Sequence, residues 1–342
     1  VVKPGAEMFL NLQLEQPEDT LYAKAGHVVA EEQFALHSGL EKARQVDLES
    51  FADSGAALKL KDDARAVVVS GSDFSVEFSR ESGALSSLVY NGMQMIENGE
   101  GPELNLYRAR LDNDNWLGNS IRQGGLDRLT YTLKSIETEK VLPGLLRVTV
   151  VKDAVIQAQQ GGNRRRNPQG QEASARSGPS IQYKTVYSIF ADGVIQASNE
   201  VYIQGISQLP RLGVSFTMPK AFNTFTWYGR GPHENYNDRK RSANVGLYSG
   251  SVAEQYVDYV RPQDNGSKSD VRWAALTNAE GKGLLMVMDG TFAVSAHHNT
   301  VADYDKARHP TELPTRDEVY VCLDAGHSGL GGNSCGPAPL QQ

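Results

Sequence analysis

From about residue 66 onward the chain is built of short runs in which every second position is apolar, separated by Gly, Pro, Asn and Asp. The runs that stand out cover 67 to 79, 145 to 151, 181 to 190, 194 to 203, 212 to 218, 271 to 277, 283 to 290 and 319 to 324. In the first of them Phe74, Val76 and Phe78 alternate with Ser75 and Glu77. Successive side chains of a strand point to opposite faces, so this alternation predicts a half-buried antiparallel strand. Asp192-Gly193 lies between two such runs, and Asp-Gly is a strong hairpin signal because its second residue tolerates positive φ. Helical candidates are confined to 251 to 260 and 300 to 309, each long enough for two or three turns. Many short strands with few helices predict an all-β protein, a large antiparallel β-sandwich.

The first 36 residues form a block of their own. Leu10, Leu12 and Leu14 alternate with Phe9, Asn11 and Gln13, and residues 27 to 36 repeat the extended pattern. Two strands bury too little to stand alone, so they read as strands of another, smaller β-domain. The charged stretch 37 to 66 reads as a linker, which leaves 67 to 342 as the large domain. Within it, 157 to 180 is rich in Gln, Gly, Arg and Ser and nearly free of large apolar side chains. Such a segment cannot bury enough to fix itself, and a mobile hairpin loop is expected.

Composition narrows the function. A formal charge of -7 over 342 residues, with no aromatic residues interleaved among Lys and Arg, speaks against nucleic acid as a partner. No apolar run approaches the roughly 20 residues of a membrane span, and the opening residues lack the charged-then-apolar layout of a signal peptide. Two cysteines, Cys322 and Cys335, make neither a zinc site nor a disulfide framework.

Four clusters could carry chemistry. In 108 to 119, Asp112 and Asp114 flank Asn113, but a calcium loop would want an oxygen ligand where Trp116 stands and glycine where Leu117 stands. Structural anchoring is the expected role, with Trp116 as a candidate sugar-stacking ring. In 227 to 242, His233, Glu234, Tyr236, Asp238 and Arg239 crowd around a Gly-Pro turn. His233 and Glu234 are the residue types for general acid-base work, yet neighbours in extended chain point apart, and a buried polar network is the stronger reading. His297 and His298 are neighbours on a strand and face opposite ways, which argues against joint metal ligation. Finally, Gly332 to Gly336 spells the G-x-S-x-G of a nucleophile elbow. Pro337 and Pro339 forbid the helix an elbow requires, and no acid or base follows Ser334. Cys335 would need His327 beside it to act as a nucleophile, and an ordinary thiol is expected.

In order along the chain, several segments resemble the C-terminal third of the lac-type β-galactosidases of glycoside hydrolase family 2. They are 16 to 36, 74 to 92, 106 to 114, 227 to 248, 259 to 273, 295 to 313 and 319 to 337. The most specific is Gly-Pro-His-Glu-Asn-Tyr followed by Asp-Arg, with Tyr-Val-x-Pro-Gln-x-Asn-Gly about twenty residues on. The resemblance covers the chain apart from 157 to 180. It implies a β-supersandwich of the galactose-mutarotase-like type, preceded by strands of an immunoglobulin-like sandwich.

The same resemblance implies that the two catalytic glutamates of retaining hydrolysis sit on a separate TIM barrel, which needs about 250 residues of its own. No catalytic residue and no metal site is therefore expected in this chain. The Mg2+ and Na+ of the family belong with the barrel. The partners implied are a β-galactoside substrate, the barrel of the same enzyme, and further copies in a homo-oligomer. Two segments carry over as substrate-lining: Asp112, Asn113, Asp114, Asn115 and Trp116, where a mobile loop mapped to about Asn115 through Gly124 follows the Leu-Asp-Asn-Asp segment, and Asn333, Ser334 and Cys335. The family presents Gly-Gly-Asp-x-Ser-Trp where this chain has Gly331-Gly332-Asn333-Ser334-Cys335. Cys335, or Gly336 with a one-residue gap, thus replaces a tryptophan, stacking is lost with the ring, and an aglycone other than that of lactose is implied. The alternative is a free-standing carbohydrate-binding or mutarotase-like epimerase module, with His233 and Glu234 as its acid-base pair.

Overall fold

The computed structural model describes residues 6–37, 57–115, 125–156, 180–206 and 208–331. Strands β1 (Met8–Glu15) and β2 (Val28–His37) form an antiparallel pair, as the alternation predicts. Its Leu10, Leu12, Leu14, Phe34 and Leu36 side chains are exposed. The pair is tied to the larger body at two places. Glu7 pairs with Arg272 (Nε to Oε2 2.8 Å), and the Gln33 amide exchanges two hydrogen bonds with the Val245 backbone at 2.9 and 2.7 Å.

A five-stranded antiparallel sheet follows, ordered β3 (Lys59–Asp62), β4 (Ala66–Ser70), β5 (Phe74–Ser79), β6 (Leu85–Tyr90) and β7 (Met93–Gln94). The sheet thus begins inside the stretch read as linker: β3 pairs with β4 from Lys59↔Ser70 to Asp62↔Val67. The run at 67 to 79 divides into two strands, because Gly71 donates to the Phe74 carbonyl at 3.0 Å and turns the chain. Phe74, Val76 and Phe78 are buried on one face, as their spacing predicts.

Strand β8 (Glu103–Asn105) belongs to a larger sheet. Four long strands, β9 (Leu129–Leu142), β10 (Leu145–Ile156), β11 (Ser180–Phe190) and β12 (Ile195–Gln204), make a meander ordered β12-β11-β10-β9. The expected Asp192-Gly193 hairpin joins β11 to β12, with Gly193 at φ 90 and the Asp192 carboxylate accepting from the Val194 amide at 3.0 Å. The loop expected at 157 to 180 lies, but for Ser180, outside the described residues. Strands β13 (Arg211–Met218), β14 (Thr224–Gly231), β15 (Asn244–Ser251), β16 (Lys268–Thr277), β17 (Gly283–His297) and β18 (Val319–His327) complete a seven-stranded sheet ordered β15-β14-β16-β17-β18-β13-β8. The fold is the all-β sandwich that the alternation predicts.

Helix is scarce. The stretch 251 to 260 yields only a 3-10 turn at Ala253–Gln255. The stretch from 300 yields one α-helix, α1 (Val301–Lys306), started by a capping box in which Thr300 and Asp303 satisfy each other's backbone amides.

The two faces of the seven-stranded sheet differ in character, and this difference positions the site. Phe216, Val294, Ala296, Val319 and Val321 point into the main core, where they meet Val76 and Phe78 of the five-stranded sheet and Val148 and Ile189 of the meander. Because strand side chains alternate, the registers Glu103↔Ser215↔Cys322↔Ser295 and Thr217↔Tyr320↔His297 fall on the opposite face. That face is polar. Over it lie α1, whose Tyr304 ring meets His297 edge-on at 5.7 Å, and the chain around Asp264-Asn265.

Candidate functional site: a two-segment rim above a buried charge network

The sequence-named residues fall into two groups. The first is at the rim. Asp112–Asn115 form a 3-10 turn, held from below by the buried Asp114 carboxylate, which takes a bidentate ion pair from Arg108 at 2.7 and 3.1 Å and the Leu111 amide at 2.9 Å. From this turn Asn113 donates to the carbonyls of Leu330 and Gly331 at 3.3 and 3.1 Å. Asp238, from the other motif, accepts the backbone amides of the same two residues, both at 3.0 Å. A Cβ on Gly329 would lie 2.1 Å from the Asp238 Cγ, so glycine is required where the loop passes the carboxylate. Asp112 points outward, with Arg261 at 3.9 Å. Trp116, the remainder of the loop to Gly124, and Asn333, Ser334 and Cys335 lie outside the described residues.

The second group is the network. Glu234 is buried and fully engaged: Arg239 and the Tyr259 hydroxyl both donate to Oε1, and the Gly266 amide donates to Oε2 at 2.8 Å. The Arg239 guanidinium also lies 5.7 Å over the Tyr236 ring. Asn235, Ser267 and Ser269 exchange further hydrogen bonds, so the Gly-Pro-His-Glu-Asn-Tyr segment and the Asp264-Asn265-Gly266 segment fold onto one another. His233 faces away, exposed, with its ring against the Ser242 hydroxyl at 3.0 Å. The structure therefore does not bring His233 and Glu234 together as an acid-base pair.

Sequence reasoning missed the centre of this network, Arg211, because a lone Arg opening a strand carries no motif. Its guanidinium is buried on the polar face between Asp324 (3.1 Å) and Asp264 (3.4 Å), with the Cys322 sulfur at 3.3 Å. Burial opposes the Arg211 charge, and the acids around it, Asp324 foremost, outweigh that and hold its pKa up. The two carboxylates move in opposite directions although they share one cation. Burial penalises both. For Asp264 it is overcome by Arg211 and His327, with a Tyr236 hydroxyl bond at 3.2 Å, so this group stays ionised well below the usual range. Asp324 is pushed up to about 6 by burial that Arg211 offsets only in part. One guanidinium does not fully offset the burial of two carboxylates, so Asp324 is the first of the two to take up a proton as pH falls.

Lys268 is a further buried cation, with its ammonium 5.1 Å from the Trp227 ring centroid. Burial pulls its pKa down from 10.5 to about 8, with Glu234 opposing. Between pH 8 and 10.5 the unfolded chain binds a proton that the folded chain has released, so stability rises with pH across that window and the full cost is present below it. Lys268→Met is expected to raise the urea midpoint at pH 7 by the equivalent of about 2–3 kcal/mol and to flatten the rise above pH 8. A variant with the parent's pH slope would refute this assignment.

His297 and His298 point apart. His297 is buried, with Nε2 3.0 Å from the Asn265 carbonyl, and burial lowers its pKa to about 4. His298 meets the Glu318 carbonyl at 3.0 Å instead. Among the described residues no three His, Cys, Asp or Glu side chains are grouped to hold a metal ion, and no helix is long and apolar enough to cross a membrane.

The family model described as β-galactosidase small chain matches residues 70–342, and that described as β-galactosidase domain 4 matches residues 1–37. A β-galactosidase of Priestia megaterium is 32% identical over 331 residues, which is 96% of this chain and 29% of the relative. One of Vibrio cholerae is 31% identical, over 96% of this chain and 30% of its own length. A third, of Arthrobacter, is 29% identical over 98% of this chain and 32% of its own. The chain thus spans less than a third of the curated relatives it matches. It belongs to the β-galactosidase family, as the small-chain domain of the C-terminal region with strands of domain 4 ahead of it.

Proposed function

We propose that this chain is the supporting and substrate-lining domain of a β-galactosidase that removes terminal non-reducing β-D-galactose with retention, the two catalytic carboxylates lying on a barrel domain outside these residues. The observation that carries the reading is the junction at Leu330-Gly331, where Asn113 donates to the two carbonyls and Asp238 accepts the two amides of the same residues. Two segments that the family resemblance assigns to the mouth of the sugar site are thereby locked into a single rim. The work of this chain is positional: Asp114 and Arg108 fix the turn, Asp238 fixes the glycine loop, and the pair holds the sugar-facing backbone in register with the barrel. Mg2+ and Na+ belong to the barrel in this reading, and no step assigned to this chain passes through them. Assembly into a homo-oligomer is part of the same proposal.

In the complete enzyme Asp238→Ala frees the Leu330 and Gly331 amides. Loss of a positioning contact to the bound sugar is expected to raise KM by about tenfold while kcat changes by no more than about twofold. An unaltered KM for a chromogenic β-galactoside would sink the rim assignment.

A further inference from the structure

The face of the seven-stranded sheet turned away from the main core is polar beneath α1, and it turns apolar toward the β15 edge. Trp227, Ala274 and Met286 point into the main core, so their strand neighbours Tyr228, Trp273 and Val287 point away from it. Tyr228 stands opposite Leu247 of β15 and Trp273 of β16, and Trp273 stands opposite Val287 of β17. Cross-strand neighbours on one face lie about 5 Å apart. The four side chains therefore form one unbroken row about 14 Å across, with Ala275 and Leu285 paired beside it. Leu247, Leu285 and Val287 are 66%, 62% and 60% exposed, and Tyr228, Trp273 and Ala275 are half-buried. Thr226, Ser249 and Asp289 border the row. A contiguous apolar patch with a polar border is the anatomy of an interface.

The N-terminal strand pair points to what covers it. Gln33 and Phe34 are neighbours on β2 and face opposite ways. Leu10 lies opposite Phe34, so Leu10, Leu12, Leu14 and Leu36 share the Phe34 face, whereas Gln33 bonds the Val245 backbone on the β15 edge. Glu7, just ahead of β1, pairs with Arg272, whose guanidinium lies 5.6 Å over the Tyr228 ring. The contact between the pair and the larger body thus already reaches the middle of the row. Residues 1–37 match domain 4, and the chain spans less than a third of its relatives.

We propose that the row from Leu247 to Val287 is the seat of the remainder of domain 4 in the complete enzyme, which extends the contact made by Glu7 and Gln33 across Tyr228 and Trp273 with an uncharged apolar surface. Continuity favours this occupant over a second copy. A sandwich that contains β1 and β2 widens sideways by strands spaced about 4.8 Å apart, and its sheet is already anchored at the β15 edge and beside Tyr228. The leucine face of the pair, turned the other way from Gln33, is left for the core of domain 4 itself. The proposal rests on family membership and on this surface, not on the rim, whose failure would show in KM.

Photo-crosslinking in the complete enzyme tests it, with p-benzoyl-phenylalanine in place of Leu247 or, in a separate variant, of Val287. Both side chains are exposed in this chain, and the second position keeps the test sharp should the first variant fail to fold. Irradiation is expected to give a product with the mass of one polypeptide on a denaturing gel. Mass spectrometry is expected to place its cross-linked peptide in the part of domain 4 ahead of Val1. A product of doubled mass would assign the row to a second copy, and a peptide from the barrel would assign it there. Either result would overturn the proposal, as would the absence of a cross-link from both positions.

Discussion

Arg211→Met should destabilise the protein by about 3–5 kcal/mol, the range for removing one partner of a buried ion pair. Among the described residues Arg211 is the only cation paired with Asp324, at 3.1 Å, and Asp324 is 1% exposed. Without the guanidinium, Asp264 keeps only His327 at 3.3 Å, and Asp324 loses its ion-pair partner on the polar side of the sheet. Their folded-state pKa values then rise, the folded chain holds protons that the unfolded chain releases, and stability falls as pH rises from 4 toward 7. The loss should accordingly be larger at pH 7 than at pH 5. Replacing Asp324 by Leu in the same variant should recover part of it, because an apolar pair of similar volume avoids burying an unmatched charge. Urea denaturation with an unchanged m-value is the measurement. A loss below about 1 kcal/mol would mean that the network does not hold the loops onto the sheet.

The second large effect is expected at Asp114. Among the described residues this carboxylate is the sole ion-pair partner of the buried Arg108, and it also takes the Leu111 amide. Asp114→Ala leaves the guanidinium without its carboxylate and releases the turn that carries Asn113, which on the proposed function shifts the rim against the barrel of the complete enzyme. A displacement on the order of 1 Å of a positioning element costs about 10²-fold, and kcat/KM for a β-galactoside is expected to fall by that factor. Asp114→Asn keeps an acceptor for Leu111 while losing the charge, and should fall between the two. Equal kinetics for Ala, Asn and the parent would separate the turn from the substrate.

These effects show which parts of the molecule sequence could reach. Period-two alternation located β5 and β11, because one face of each strand is buried more deeply than the other. It failed at Lys59–Asp62, whose four side chains are all exposed, so the strand exists through backbone pairing alone. It also overstated helix at 251 to 260. There the 3-10 turn ends at Tyr256, which is already extended, so the segment makes one turn rather than two or three. Within the site, the crowded motif around Glu234 was legible as a buried network because its residue types are costly to bury unpaired. Its partners were not. Arg211, Asp264 and Asp324 come from three separate segments: the pairing of β13 on β18 brings Arg211 to Asp324, and the chain ahead of β16 brings Asp264 to Arg211. Asp238 was placed with the network, yet its contacts are to the rim loop, a pairing across 92 and 93 residues that no local pattern encodes.

The central claim is that this chain shapes a sugar site whose chemistry is supplied by another domain. Turnover of a chromogenic β-galactoside by the purified 342-residue chain, beside the complete enzyme at equal molarity, tests it most directly. The account predicts hydrolysis by the complete enzyme and none above the uncatalysed rate by the chain alone. Clear turnover by the chain alone, lost on substitution of Glu234 or another of its own carboxylates, would contradict it.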